Sequence, residues 1–299
     1  MKNDTKADLY DLYPNLSAAN KPKQRKQNRA IYLNIIAVIV CLIYLFPLFW
    51  LLSCSLKQEA EIFRIPPTLF PSQFYFKPYL DQLSSQYNMF RSFANSCIIS
   101  LSAMGISLVL STLAAYGLAR FQFPGKKVLI LSFLITQMLP ATLILTPLFI
   151  IFNKLNLYNT YGGPIIADAT IGIPFSVLML RTYFLTIPKE IDDSARVDGC
   201  NALTAFFKIM LPIAYPGVIV VAIFSFLFAW GDLIFANTFM NKQALMPLTA
   251  GIYNFIGQYG VSWNHVMAFG VVTILPVVLL FIFMQKYIVS GIISGSVKG

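Results

Sequence analysis

Long stretches of this chain run for the length of a membrane crossing with almost no Asp, Glu, Lys or Arg. Residues 30–56, 92–119 and 128–153 contain none of the four, residues 155–180 contain only Asp168, and residues 209–241 contain only Asp232. The last such stretch, 243–285, is too long for one crossing. Pro247, Gly251, Asn254, Gly257, Gln258 and Gly260 mark its first part as loop and leave a span from about His265 to Met284. A crossing helix needs about 20 apolar residues, so the pattern predicts six transmembrane helices and an all-α polytopic membrane protein. Charged residues make up 11% of the 299 positions, against roughly 25% in soluble domains, too few to cover a water-facing globule.

The two embedded acids do not overturn this count. A central Asp costs about 2.5–3.5 kcal/mol and each Leu, Ile, Phe or Val returns about 0.3–0.6 kcal/mol, so ten apolar neighbours offset one carboxylate. Pro47, Pro140, Pro147, Pro174 and Pro276 fall inside the expected spans, where packed neighbours can satisfy the carbonyls they free. The approach to Cys54 (Leu51, Leu52, Ser53) imitates a lipoprotein signal. However, a polar segment precedes the apolar run, which is longer than the roughly 7–15 residues of a cleaved signal, so it reads as a retained first span.

Six spans put both termini on one side. With the N-terminus inside, sixteen of the 22 basic residues face the cytoplasm, leaving Lys57, Arg64, Lys77, Arg91, Lys154 and Lys242 outside, as the positive-inside rule requires. This placement accounts for the net charge of +10 without nucleic acid as a partner. The expected organisation is a polar cytoplasmic tail over 1–29, a six-helix domain over 30–284 and a cytoplasmic tail over 285–299. In the first tail, Leu9, Leu12, Tyr13 and Leu16 have helical spacing that Pro14 interrupts, and the expectation is a solvated, mobile segment. The four cysteines are scattered without metal-type spacing, and no metal or disulfide is expected.

One charged island stands between the fourth and fifth spans, in the loop 186–212. Pro188 suits a first helical position, and Glu190, Asp192 and Asp193 follow where acids complement the positive helix end. Gly199 can adopt the positive φ that ends a helix. Leu203, Phe206, Phe207 and Met210 then predict a second short helix with one apolar face, and Pro212 opens the fifth span. The result is a helix–turn–helix under the membrane with its acids and Arg196 exposed. Read from residue types alone, a solvated connecting loop remains open beside a docking surface.

The island resembles the EAA loop of binding-protein-dependent ABC importers, whose pattern is Glu-Ala-Ala, a glycine four residues later, then Ile-x-Leu-Pro. Asp193, Ser194 and Ala195 stand for the triplet, Gly199 for the glycine, and Ile209, Leu211 and Pro212 for the end. Asp replaces the usual Glu, and Ser the first Ala. Further segments are similar to carbohydrate permeases of this kind. They are Asn95-Ser96, the run from Ala114 through Tyr116 to Arg120, Phe123-Pro124-Gly125, and Trp230-Gly231-Asp232 with Gly in place of the usual Asn. The ending, with Gln285, Lys286, Gly291 and Lys298, resembles the tail of the short permease of maltose-type transporters.

The resemblance covers about residues 30–299 and implies a type I ABC importer transmembrane domain in a bacterial cell membrane. It implies a non-catalytic permease for a sugar or oligosaccharide, with glycerol phosphate as the family alternative. The implied partners are a homologous permease in a heterodimer, two ATPase subunits and an extracellular solute-binding protein. Glu190, Asp193, Ser194, Ala195, Asp198, Gly199, Leu211 and Pro212 would couple to the ATPase, and the C-terminal residues would touch it. Trp230 and Asp232 are candidates for a pathway or packing role, and no solute-binding residue is assigned.

No Gly-x-x-x-x-Gly-Lys-Ser/Thr occurs, so the chain has no P-loop of its own, and ATP and Mg would sit on separate subunits. An ion-coupled secondary transporter would need titratable groups at mid-membrane, yet Asp168 and Asp232 both fall near the outer ends of their windows. An intramembrane enzyme would need a His-Glu-x-x-His or Gly-x-Ser-x-Gly arrangement, and neither occurs. The topology is open to test. In sealed cells an Asp198→Cys variant should resist membrane-impermeant thiol reagents and react only after permeabilisation.

Overall fold

The structure, a computed structural model, describes residues 14–84, 88–257 and 260–296, and gives the backbone alone for 14–29, 84, 254, 257 and 286–296. The architecture is carried by α1 (Pro14–Ser55), α2 (Met89–Arg120), α3 (Lys126–Met138), α4 (Thr142–Lys154) and α5 (Gly162–Thr186) in the first part of the chain. It continues with α6 (Lys189–Val197), α7 (Ala202–Ala205), α8 (Leu211–Trp230), α9 (Ile234–Phe239) and α10 (Trp263–Ser296). Among the described residues, five helical runs are long and apolar enough to cross a membrane, and α3 with α4 passes the same test as a bent pair.

That pair corrects the expectation of an unbroken third span. α3 and α4 meet at 103° across Leu139, Pro140 and Ala141. The cause is local. Pro140 has no N–H to give the helix, and its ring drives the preceding residue out of the helical region; Leu139 is extended, with φ −80° and ψ 129°. Pro147, Pro174 and Pro276 stay within α4, α5 and α10, as expected. The N-terminal tail is described only from residue 14 onward. Among the described residues the helix runs unbroken from Pro14 into the first span. Of the four residues whose spacing suggested a helix there, Leu9, Leu12 and Tyr13 lie outside the described residues.

The core is built on α2, which packs along α5 and α8. Its buried face carries Ser96, Ser100, Ala103, Ser107 and Ser111 at helical spacing. Lipid gives helices no hydrophobic incentive to associate, so small residues that bring backbones close supply dispersion contact instead. The hydroxyls cost little because they bond within their own helix, as Ser100 Oγ does to the Ser96 carbonyl at 2.7 Å. Between α5 and α8, Ser176 and Ser225 share a hydrogen bond at 3.2 Å. Among the spans α1 packs mainly on α10, and none of its apolar window is buried, leaving that surface for lipid or another chain.

At the end of the bundle expected to face outward, Asn95 ties the segment after α9 to α2. Its Nδ2 donates to the carbonyls of Ala244 and Met246 at 3.1 and 3.0 Å, and its Oδ1 accepts from the Tyr161 hydroxyl at 2.7 Å. Ser96 Oγ accepts from the Leu248 N–H at 2.9 Å. The Asn-Ser pair therefore satisfies loop backbone groups at a place where little water reaches.

Among the described glycines the tightest surroundings are at Gly217, where a Cβ would stand 2.7 Å from the Tyr183 ring. Gly217→Val should destabilise the fold by about 1–3 kcal/mol through overpacking. In purified, detergent-solubilised protein this should appear as a lower melting temperature that Tyr183→Ala partly restores.

Candidate functional site

The charged island folds at the opposite end of the bundle, below the ends of α2 and α5. Pro188 precedes α6 with φ −54° and ψ 142°, so the helix starts at Lys189, one residue later than the spacing predicts. Glu190 and Asp192 occupy the first turn and Arg196 the last, each charge matched to its helix end. The C-terminus closes on Gly199, whose φ is +84°. The Gly199 N–H donates to the Arg196 carbonyl at 3.0 Å and the Cys200 N–H to the Ala195 carbonyl at 2.9 Å, the paired bonds that seal a helix end. Asn201 then caps α7, its Oδ1 accepting from the Thr204 N–H at 2.8 Å.

The second helix differs from its expectation. α7 passes through a wide turn, Phe206–Met210, straight into α8, and the N–H of Leu211 donates to the carbonyl of Phe206. Pro212 explains the widening, since it has no N–H to close an ordinary turn onto Lys208 and its ring would strike that carbonyl. The wide turn also splits the predicted apolar face. Phe206 and Met210 are buried, while Leu203 and Phe207 are 66% and 56% exposed. The hairpin is thus α6 folded against the base of the fifth span.

α6 has two faces. Ala195 and Asp192 point inward and are buried, while Glu190, Asp193, Ser194, Arg196, Val197, Asp198 and Gly199 are exposed. The burial of Asp192 corrects the expectation that the acids would all be exposed. Its Oδ2 lies 2.6 Å from Arg120 Nε at the last turn of α2, and its Oδ1 accepts from the Tyr116 hydroxyl at 3.1 Å. Arg120 also donates from Nη2 to the Ile187 carbonyl at 3.0 Å, just before α6. The side chains of Arg120 and Asp192 are only 5% and 9% exposed. Breaking a buried pair of this kind by removing one partner costs about 3–5 kcal/mol, because the other charge stays buried alone.

Above the ion pair lies an apolar cluster that includes Tyr116, Phe184, Phe206 and Met210, drawn from α2, α5 and the wide turn. The Tyr116 ring stands 5.0 Å from that of Phe206 and 5.7 Å from that of Phe184. α6, through Asp192, and the wide turn are therefore both seated against the ends of α2 and α5.

Of the residues singled out from sequence, the structure gathers Glu190, Asp193, Ser194, Asp198 and Gly199 on one exposed rim and turns Ala195 inward. Leu211 is half-buried and Pro212 exposed at the exit of the wide turn. Gln285 is exposed on α10; Lys286 and Gly291 lie on the same helix, which continues to Ser296, and Lys298 lies outside the described residues. Asp192, Tyr116 and Arg120 were not assigned a role from sequence. The signal was present: Ile191, Asp192 and Ala195 share one helical face, and that face is the apolar one.

At the other end, Trp230 is buried, its Nε1 donating to the Thr273 carbonyl at 3.0 Å and its ring stacked on Phe226 at 5.4 Å. Asp232 caps α9, its Oδ1 accepting from the N–H groups of Ile234 and Phe235 at 3.1 and 3.2 Å and its Oδ2 from Ala236 at 2.9 Å. Asp168 is 2% exposed, and no hydrogen-bond donor among the described residues reaches either of its carboxylate oxygens.

These features define a helical membrane protein with a short acid-edged hairpin fixed to one end of its core. Residues 107–294, from within α2 to near the end of α10, match the family described as binding-protein-dependent transport system inner membrane component, and the chain belongs to that family. It is 35% identical to the inner membrane ABC transporter permease protein YcjP of Escherichia coli (strain K12), over 86% of this chain and 92% of the relative. It is 32% identical to the arabinooligosaccharides transport system permease protein AraQ of Bacillus subtilis (strain 168), over 90% and 96%. Its fold is similar to that of a chain in the crystal structure of a bacterial ABC transporter involved in the import of alginate. That match has a TM-score of 0.74 at 22% identity and covers 87% of this chain and 96% of the other.

The hairpin's turn can be tested by itself. A Cβ at Gly199 meets nothing within 4 Å, so only the positive φ resists substitution. Gly199→Ala should cost about 1–2 kcal/mol and Gly199→Asn clearly less, because Asn tolerates the left-handed region. Melting temperatures of the two variants in detergent would show the order.

Proposed function

We propose that this chain forms half of the translocation pathway of an ATP-driven importer and is moved by ATPase subunits that grip α6 and the turn after it. The observation that carries this reading is the division of α6 into a seated face and an exposed one. Val197, 88% exposed, stands beside Glu190, Asp193 and Asp198 outside the crossing stretches, and Leu203, 66% exposed, follows at the very start of the run that becomes the fifth span. Apolar side chains set among acids beyond the bilayer suit a protein cover rather than lipid or bulk water.

On this reading the hairpin and both termini are cytoplasmic, and the exposed acids meet basic groups in a cleft of the ATPase. The chain itself is non-catalytic, and ATP and Mg are held by two separate subunits. A homologous permease supplies the other half of the pathway in a heterodimer, and an extracellular binding protein delivers the solute. α10, running on past its apolar part, carries Gln285, Lys286 and Gly291 toward the same ATPase. The solute is an oligosaccharide, the class for which the Bacillus subtilis relative is named.

Asp193→Lys should lower solute-stimulated ATP hydrolysis by the assembled transporter at least tenfold. That is the scale of a lost charge-assisted contact of about 1.5–3 kcal/mol. Membrane insertion should be unchanged, and normal stimulation in this variant would refute the reading.

A further inference from the structure

The hairpin touches the spans in two physically different ways. Phe206 and Met210 press against Tyr116 and Phe184, an apolar contact that resists separation but, being non-directional, tolerates sliding. The group formed by Arg120, Asp192, Tyr116 and the Ile187 carbonyl adds two directional hydrogen bonds to an ion pair whose facing atoms, Arg120 Nε and Asp192 Oδ2, do not themselves meet hydrogen-bond geometry. Its 2.6 Å ion contact and its hydrogen bonds at 3.0 and 3.1 Å hold three segments in one geometry, with both charged side chains nearly sealed from water. From these contacts we infer that Arg120 and Asp192 are the joint through which displacement of α6 is handed to α2. This inference rests on the reading that α6 is the element the ATPase moves.

The placement supports a joint rather than a local brace. Arg120 is the last residue of α2, the helix against which both α5 and α8 pack. Asp192 lies in the first turn of α6, while the acids turned away from the bundle, Glu190, Asp193 and Asp198, remain free to face a partner. One short helix therefore offers one carboxylate to the span and others outward, so a pull on the outer face is transmitted to α2 by a tether. The guanidinium is suited to this task. Its planar head reaches Asp192 through Nε and the Ile187 carbonyl through Nη2, so it grips both α6 and the strand of chain leading into it. Arg120 and Asp192 are thus positioning residues, and neither needs to touch solute or nucleotide.

The test uses the whole transporter reconstituted in vesicles with its ATPase subunits and binding protein, reading ATP hydrolysed and solute taken up in the same preparation. Arg120→Lys keeps the charge and approximate length but cannot hold both partners from one planar head. It should assemble and hydrolyse ATP within about twofold of wild type, while the solute moved per ATP falls about fivefold or more. The double variant Arg120→Leu with Asp192→Leu removes both buried charges together. It should assemble better than either single change and still show the low ratio. A wild-type ratio in Arg120→Lys overturns the inference, whatever the double variant does. Cross-linking from an Asp198→Cys variant to the ATPase is measured alongside. Its absence sinks the docking reading, whereas its presence together with an unchanged ratio sinks the joint alone.

Discussion

The absence of water within a bilayer governs this molecule. Each backbone N–H and C=O there must be satisfied within the protein, which leaves helices as the available form for a chain of this pattern. Where a residue cannot take part, the helix answers in one of three ways. Pro140 divides α3 from α4 at 103°, and Pro212 stands just beyond a widened turn. Pro147, Pro174 and Pro276 are absorbed within their helices. Packing accounts for part of this but not all, since Pro147 is exposed and is still absorbed within α4. α3 and the start of α4 are largely exposed and have little packing to hold them in line, whereas Pro174 is buried on α5 between α2 and α8.

The same constraint sorts the polar side chains. Ser100 and Ser111 on α2 return their hydroxyl protons to their own helix and so permit close packing, while the more demanding groups gather at the ends of the spans. Asn95 secures an outer loop, Asp232 caps a short helix, and Asp192 binds an arginine at the opposite end. Each is paired with backbone or with a counter-charge, the condition under which burial of such a group is tolerable. Asp168 lacks a donor among the described residues and stands apart from this rule.

Much of the bundle could be read from where charge is missing. Five of the expected spans appear as single helices, because an uncharged run of that length has few other ways to satisfy its backbone. The bend in the third span is not legible, because counting apolar residues says nothing of direction, and Pro140 looks the same whether its helix is held straight or not. In the hairpin, the helix start, the Gly199 turn and the exposed acids follow from local chemistry within a few residues. The role of Asp192 did not, because its partner Arg120 is distant in sequence and only packing brings the two together. The wide turn was also hidden: Leu203, Phe206, Phe207 and Met210 fit an ordinary helix, and only the missing N–H of Pro212 hinted that the period would slip.

That slip leaves spare length in the backbone at the foot of α8. A wide turn holds more residues than an ordinary one, and passing a single residue across its boundary would swivel one neighbour against the other by about 100°. The stub formed by Ala202–Ala205 could therefore follow α6 like the throw of a crank while the long shaft above stayed seated on α2 and α5. Rotation at the base would then be taken up in the wide turn without any rupture of the shaft's own hydrogen bonds.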